Sequence, residues 1–294
     1  MTLGLAFAIL GAILFSTKAV VVKLAYAFPV TPEALLALRL LFALPFYLFV
    51  ATRSARSAPP LTRADWLKVI SLGLIGYYGA SLLDFWGLAY ISAGLERLTL
   101  YTYPVIVILL SAVAFGRPVT GRDALAFGAA YLGVAFVVLN DRVRLGAVSD
   151  LSVGVLLVLL SAFAYAVYLV GSQHIIPRLG AIRFTALAMP AATVGALTHF
   201  ALTDSAERLF AQPAAVYGYA LFLAVFSTVL PSFLISAGLA RIGAARTAMV
   251  GAIGPIATML IAWPLLGETI TATQLLGSAL VVYGVGVANG GGRR

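Results

Sequence analysis

Ten long apolar runs, almost free of charge, set the limits on what this chain can fold into. Broken at charges, proline and glycine, they fall at roughly 3–27, 32–52, 67–91, 95–115, 122–140, 151–172, 181–203, 214–237, 243–265 and 270–290. A helix needs about 20 mostly apolar residues to cross the bilayer hydrocarbon, and each run supplies them. Strands of a membrane β-barrel would instead alternate apolar and polar residues over segments of about ten. The longest connections, 53–66 and 141–150, leave no room for a soluble domain on either face. Only 10% of the residues are charged and 62% are hydrophobic. A soluble globule carries about 25% charged residues, so a soluble enzyme, a disordered chain and a fibre are excluded. The expected class is an all-α polytopic membrane protein with ten transmembrane helices.

The first run is read as a retained helix rather than a signal peptide. Ala25-Tyr26-Ala27 resembles a cleavage site, but no basic segment precedes the apolar stretch, and Lys18 and Lys23 interrupt it. The chain has no cysteine, which removes disulfides, cysteine–zinc sites and thiol chemistry.

The net charge of +9 is distributed unevenly. With the N-terminus in the cytoplasm, the inside loops hold Arg53, Arg56, Arg63, Lys68, Arg117, Arg122, Arg178, Arg183, Arg241, Arg246, Arg293 and Arg294. The outside loops hold only Arg97, Arg142, Arg144 and Arg208, and Lys18, Lys23 and Arg39 fall inside helices. This is the positive-inside pattern of a chain with both termini cytoplasmic. No basic cluster is dense enough for a nucleic-acid face.

A shift of 151 residues aligns two stretches without a gap. Gly87-Leu88-Ala89-Tyr90-Ile91-Ser92-Ala93 falls on Gly238-Leu239-Ala240-Arg241-Ile242-Gly243-Ala244. Further on, Pro104 meets Pro255, Gly116 meets Gly267, Thr120 meets Thr271 and Gly133-Val134 meets Gly284-Val285. Matched glycines and prolines at one offset point to duplication, with 1–146 and 147–294 as two five-helix units. Five is odd, so the second unit enters the bilayer from the opposite side, giving a 5+5 inverted-topology repeat. Two such halves can exchange conformations at little cost, which moves an opening from one face to the other.

On these residues the chain resembles the drug/metabolite transporter superfamily, in its EamA-type branch of ten-helix exporters. The resemblance covers nearly the whole chain. It rests on Gly87 through Ala93 with Pro104, on Gly238 through Pro255, and on the turn Leu266-Gly267-Glu268-Thr269-Ile270-Thr271. Lys23 and Arg39 also stand where the family often has a basic residue. Gly116-Arg117 departs from the family's usual Gly-Glu. The resemblance implies a multi-pass protein of the bacterial inner membrane that exports small metabolites. Amino acids are common among these, and by overall resemblance a YddG-like amino-acid exporter is the nearest match. It implies no cofactor and no metal; the partners are a small-molecule substrate and the lipid bilayer.

A midplane cavity needs polar and aromatic residues three or four apart on one helix face. The candidates are Phe15 and Lys18; Tyr77, Tyr78, Ser81 and Asp84; Thr99 and Tyr103; Ser161, Tyr165, Tyr168 and Ser172; and Thr228, Ser232 and Ser236. A charge at the bilayer centre costs about 2.5–3.5 kcal/mol and rarely persists without a partner or a role. Lys18 is therefore a counter-charge for a substrate anion, a pair for Asp84, or a snorkelling cation. Asp84 could equally hold a substrate ammonium or a coupling proton. Arg39 reads as a structural cation, and Lys23 and Glu96 as solvated or gate-forming groups near the outer surface. Pro104, Pro231 and Pro255, with Gly254, are candidate hinges. Small residues from Ala129 to Gly133 and from Gly284 to Ala288 suit close helix packing or a homodimer contact.

Competing classes find little support. His174 and His199 are the only histidines, in no hydrolase or metalloprotease pattern. No phosphate-binding loop accompanies the three lysines. A cation channel would want rings of carboxylates or carbonyl filters. A carrier for another small organic solute, drug-like or nucleobase-like, stays open beside amino-acid export.

Overall fold

The computed structural model describes residues 2–55, 60–116, 118–145, 149–242, 250–251 and 253–290. Arg56, Arg117, 243–249 (with Arg246), Arg293 and Arg294 lie outside this set, as do the side chains of Arg142, Arg144, Ser236 and Ala288. The described residues form helices α1 (Thr2–Ala25), α2 (Pro32–Ala55), α3 (Arg63–Gly73), α4 (Ala80–Tyr90), α5 (Ala93–Leu100), α6 (Tyr103–Phe115), α7 (Gly121–Leu145) and α8 (Ser149–Ser172). After these come α9 (Ile176–Leu179), α10 (Ala181–Thr203), α11 (Ala206–Phe210), α12 (Ala214–Ala224), α13 (Leu230–Ile242), α14 (Gly254–Leu266) and α15 (Ala272–Gly290). A π-helical turn at Leu74–Gly79 joins α3 to α4, and another at Val225–Val229 joins α12 to α13.

Eight helical spans among these residues are long and apolar enough to cross a membrane; α14 and the apolar part of α15 are shorter. The surface agrees. Val113 (83% exposed), Leu202 (82%) and Leu67 (71%) point outward. A belt of bare aliphatic groups is costly in water and ordinary against lipid tails.

The duplication is written in local structure as well as in sequence. The two π turns begin at Leu74 and Val225, 151 positions apart. Gly116 and Gly267 end α6 and α14 in the left-handed region, at φ 65° and 67°, where a residue with a Cβ is strained. Each donates its N–H back four residues, to Ala112 and Trp263. The next helices open alike. The Thr120 amide donates to Asp123 Oδ2 at 2.8 Å, and the Thr271 amide to Gln274 Oε1 at 3.4 Å.

The halves also pack on each other reciprocally. α1 packs on α13 as α8 packs on α4; α2 pairs with α10, and α7 with α15. Glycines set the distances. A methyl on Gly87 would stand 3.0 Å from the Gly154 carbonyl oxygen, and one on Gly238 3.2 Å from that of Gly4. Gly4 and Gly154 are 150 apart, so the offset slips by one in the first helix of each unit.

α7 and α15 come closest. A Gly133 methyl would meet the Gly277 carbonyl oxygen at 2.7 Å, and a Gly277 methyl the Gly133 oxygen at 2.8 Å. A Gly284 methyl would lie 2.6 Å from the Ala126 carbonyl oxygen. The small-residue faces from Ala129 and from Gly284 are thus spent on each other inside the chain.

Two prolines act differently from the expectation of mid-helix hinges. Pro104 and Pro255 occupy the first turn of α6 and α14, where an N–H would have no helical partner anyway. They open new helices after an existing break; the run expected at 95–115 is two helices, α5 and α6. Pro231 does follow a continuous path, directly after the second π turn. Pro45, Pro190 and Pro264, not singled out from sequence, lie within helices.

Candidate functional site

Five ionisable side chains meet where α1, α2, α4 and α5 converge. Lys18 Nζ donates to Asp84 Oδ2 at 2.7 Å and lies 3.5 Å from Glu96 Oε1. Arg39 stacks over the Phe85 ring at 5.3 Å and reaches Ser81 Oγ at 3.5 Å. Arg97 lies over the Phe15 ring at 5.2 Å, and Lys18 approaches the same ring at 5.8 Å. All five are buried, Glu96 completely and Arg97 to 8% exposure.

Glu96 and Arg97 correct the sequence reading, which set one near the outer surface and the other in an outside loop. Ser92 is the N-cap of α5 and accepts from the Leu95 amide at 3.2 Å. The helix therefore starts at Ala93, one turn before the charges, and carries them inward between α8, α14 and α15. The signal was present in Ser92, an N-cap residue type with an acidic residue following within the first turn.

The cluster is incompletely satisfied. Arg39 Nε and Nη1, Arg97 Nε, Asp84 Oδ1, both Glu96 carboxyl oxygens and Thr99 Oγ1 are buried without a hydrogen-bond partner. Buried polar atoms are nearly always paired, so such a concentration makes this cluster the candidate site. Three cations against two carboxylates give the ionised cluster a net charge of +1.

An aromatic wall adjoins it. Tyr77 and Tyr168 share a hydroxyl contact of 2.7 Å, and Tyr77 reaches Thr185 at 3.3 Å. Tyr165 stacks on Tyr168 at 5.7 Å and meets Tyr103 edge-on at 5.0 Å; Tyr103 meets Tyr101 at 6.1 Å. The first π turn builds this wall. It sets Tyr77 toward α8 and brings Gly76 under Tyr168, where any Cβ would overlap the ring. Ser161 Oγ donates to the Ala80 carbonyl at 2.7 Å, just past that turn. Extra-residue turns of this kind recur at functional sites.

The remaining candidates separate. Tyr78 faces away from the wall, into a groove of about 600 Å³ between α3 and α10, against His199 at 6.0 Å. Ser232 contacts Tyr47 of α2 at 3.2 Å and donates to the Thr228 carbonyl at 2.6 Å. Ser236 falls outside the described side chains. Glu268 is read from sequence only as part of the Gly-Glu turn, not as a site residue. Its two carboxyl oxygens accept from the Ala93 amide at 2.7 Å and the Gly94 amide at 3.1 Å, tying the second unit to the start of α5. A carboxylate at a helix N-terminus is favoured by the helix dipole. Among the described residues no group of His, Cys, Asp and Glu has the makings of a metal site.

Comparison with known proteins bears on this arrangement. The profile of the EamA-like transporter family matches residues 2–139 and again 152–290. The uncharacterized transporter YcbK of Bacillus subtilis is 30% identical, over 95% of this chain and 90% of its own length. The uncharacterized transporter YyaM of the same organism is 26% identical over 78% of this chain and 74% of its own. The uncharacterized transporter sll1319 of Synechocystis is 24% identical over 98% and 93%. A solved crystal structure superposes with a TM-score of 0.65 at 20% identity, over 99% of both chains, which establishes the fold. The relatives are transporters and not enzymes. With its membrane-spanning helices and two matched repeats, the chain is a multi-pass membrane protein that belongs to the EamA-like transporter family.

Proposed function

We propose that the protein is a secondary transporter that exports small metabolites, amino acids foremost, across the bacterial cytoplasmic membrane. On this reading ten helices cross the bilayer as an inverted 5+5 repeat, both termini are cytoplasmic, and the halves alternate access to the central site. The observation that carries it is the buried, half-satisfied ionic cluster lying against a tyrosine wall. Lys18, Asp84, Glu96, Arg39 and Arg97 offer both signs of charge within one side-chain length, which suits a zwitterion. The reciprocal packing of α1 on α13 and α8 on α4 supports the two-state exchange. The carboxylate tie from Glu268 to α5 then closes the periplasmic end.

The test is flux in reconstituted vesicles. Saturable movement of labelled amino acids, measured with and without a pH gradient, is expected; Asp84→Asn should impair it. Tyr165→Cys or Tyr168→Cys, in a chain without native cysteine, should be labelled by a water-soluble reagent and shielded by substrate. Ohmic current in place of saturable flux would count for a channel. Flux of drug-like or nucleobase-like solutes alone would move the substrate class.

A further inference from the structure

Lys18 is the cation that sequence spacing offers to a substrate anion, yet the fold spends it on Asp84 and Glu96. Arg97 is differently placed. The residue is 8% exposed, its Nε has no hydrogen-bond partner, and none of the salt bridges among the described residues includes it. Around it stand Phe15, over whose ring it lies, and Tyr101, Tyr103 and Tyr165, all within electrostatic reach.

The opposite wall is the start of α14. A methyl built on Gly254 would lie 3.2 Å from Arg97 Nη2 and 3.3 Å from Nε. Gly254 is the first residue of that thirteen-residue helix. A helix start carries roughly half a positive charge, so its natural neighbour is an anion. Here a guanidinium faces it instead. Two positive features oppose each other in a buried place; the nearest carboxylate along the chain, Glu96, lies within electrostatic reach of Arg97 but makes its ion pair with Lys18. The lack of a side chain at Gly254 lets the guanidinium approach the helix start this closely.

We infer that Arg97, facing the N-terminal end of α14, is the anchor for the carboxylate of the transported solute, whose apolar body lies on Phe15, Tyr103 and Tyr165. A carboxylate there accepts from the guanidinium fork and neutralises both positive features at once. The inference rests on the transporter reading and adds to it a specificity determinant that the repeat does not share. The positions 151 residues on from Glu96 and Arg97 hold Thr247 and Ala248.

The experiment uses the full-length protein in detergent, with thermal unfolding as the readout. The probes are the common amino acids and 3-phenylpropionate, each against its uncharged carboxamide. At least one acid is expected to raise the unfolding temperature while its amide does not. Arg97→Gln should weaken that acid about tenfold or more, and Arg97→Lys should recover part of the loss. Gly254→Ala, which pushes on the guanidinium without removing its charge, is the second variant should Arg97→Gln fold poorly; it too should weaken the acid. Amides binding as tightly as acids, no response from any acid, or undiminished binding in both variants would each overturn the inference. The two readings fail separately. Acid binding that needs Arg97 without saturable vesicle flux would sink the transporter reading. Saturable flux with an unchanged KM in Arg97→Gln would sink the anchor alone.

Discussion

The contact between α7 and α15 gives a prediction whose sign depends on position within one helix. Gly277→Ala puts a methyl 2.5 Å from Val137 Cγ2 and 2.8 Å from the Gly133 carbonyl oxygen. Ordinary contacts need about 3.5–4.0 Å, and opening a packed surface by about 0.5–1 Å forfeits a quarter to a half of its dispersion attraction. The oxygen belongs to helix backbone, so it cannot swing aside; the two helices must part. Overpacking of this kind costs about 1–3 kcal/mol, while alanine returns up to about 1 kcal/mol of helix propensity. Gly277→Ala should therefore destabilise by about 1–2 kcal/mol. Gly286, two turns further along α15, and Gly128 on α7 have nothing within 4 Å of a built Cβ. There the propensity gain stands alone, and alanine should stabilise by about 0.5–1 kcal/mol. Reversible unfolding in mixed micelles, with all three variants side by side, measures the difference. Variants that shift in the same direction would refute the argument that backbone-to-backbone approach sets this interface.

Lys18→Met leaves Asp84 buried without its cation and should cost about 3–5 kcal/mol in the same assay, part of which Lys18→Met with Asp84→Leu should restore. Gly76→Ala should displace the Tyr168 ring and break its contact with Tyr77 at a cost of about 1–3 kcal/mol. Adding Tyr168→Gly, which removes the Tyr168 Cβ at 2.4 Å as well as the ring, should relieve the clash, and a double-mutant cycle reads that coupling. Glu268→Gln keeps one carbonyl acceptor where two carboxyl oxygens now serve. Faster hydrogen exchange at the Ala93 and Gly94 amides, with a loss of about 1 kcal/mol, is the expected result.

Much of the architecture was legible because lipid permits so few backbone solutions. The apolar runs at 32–52 and 181–203 reappear as α2 and α10, shifted by a few residues at most. Glycine and proline matches at one offset led to the paired caps at Gly116 and Gly267. The π turns were not legible, since one additional residue per turn leaves no mark in an apolar stretch. Within the site, Lys18 and Asp84 stood out as charges in uncharged runs. Arg97 did not, because Glu96-Arg97 close to a helix end looks like a loop pair. Only the Ser92 cap tells that the chain has already turned inward there. Tyr78 shows the limit of spacing arguments: adjacent to Tyr77, it faces a different neighbour once the π turn rotates the helix.

The backbone is doubled, but the charges are not. The counterparts of Asp84, Glu268 and Arg39 are Ile235, Arg117 and Pro190. On the proposed transporter reading, the two resting tilts of this doubled scaffold meet unlike stops and do not share one energy, because Glu268 binds the start of α5 while the sequence-matched residue of the other unit is Arg117.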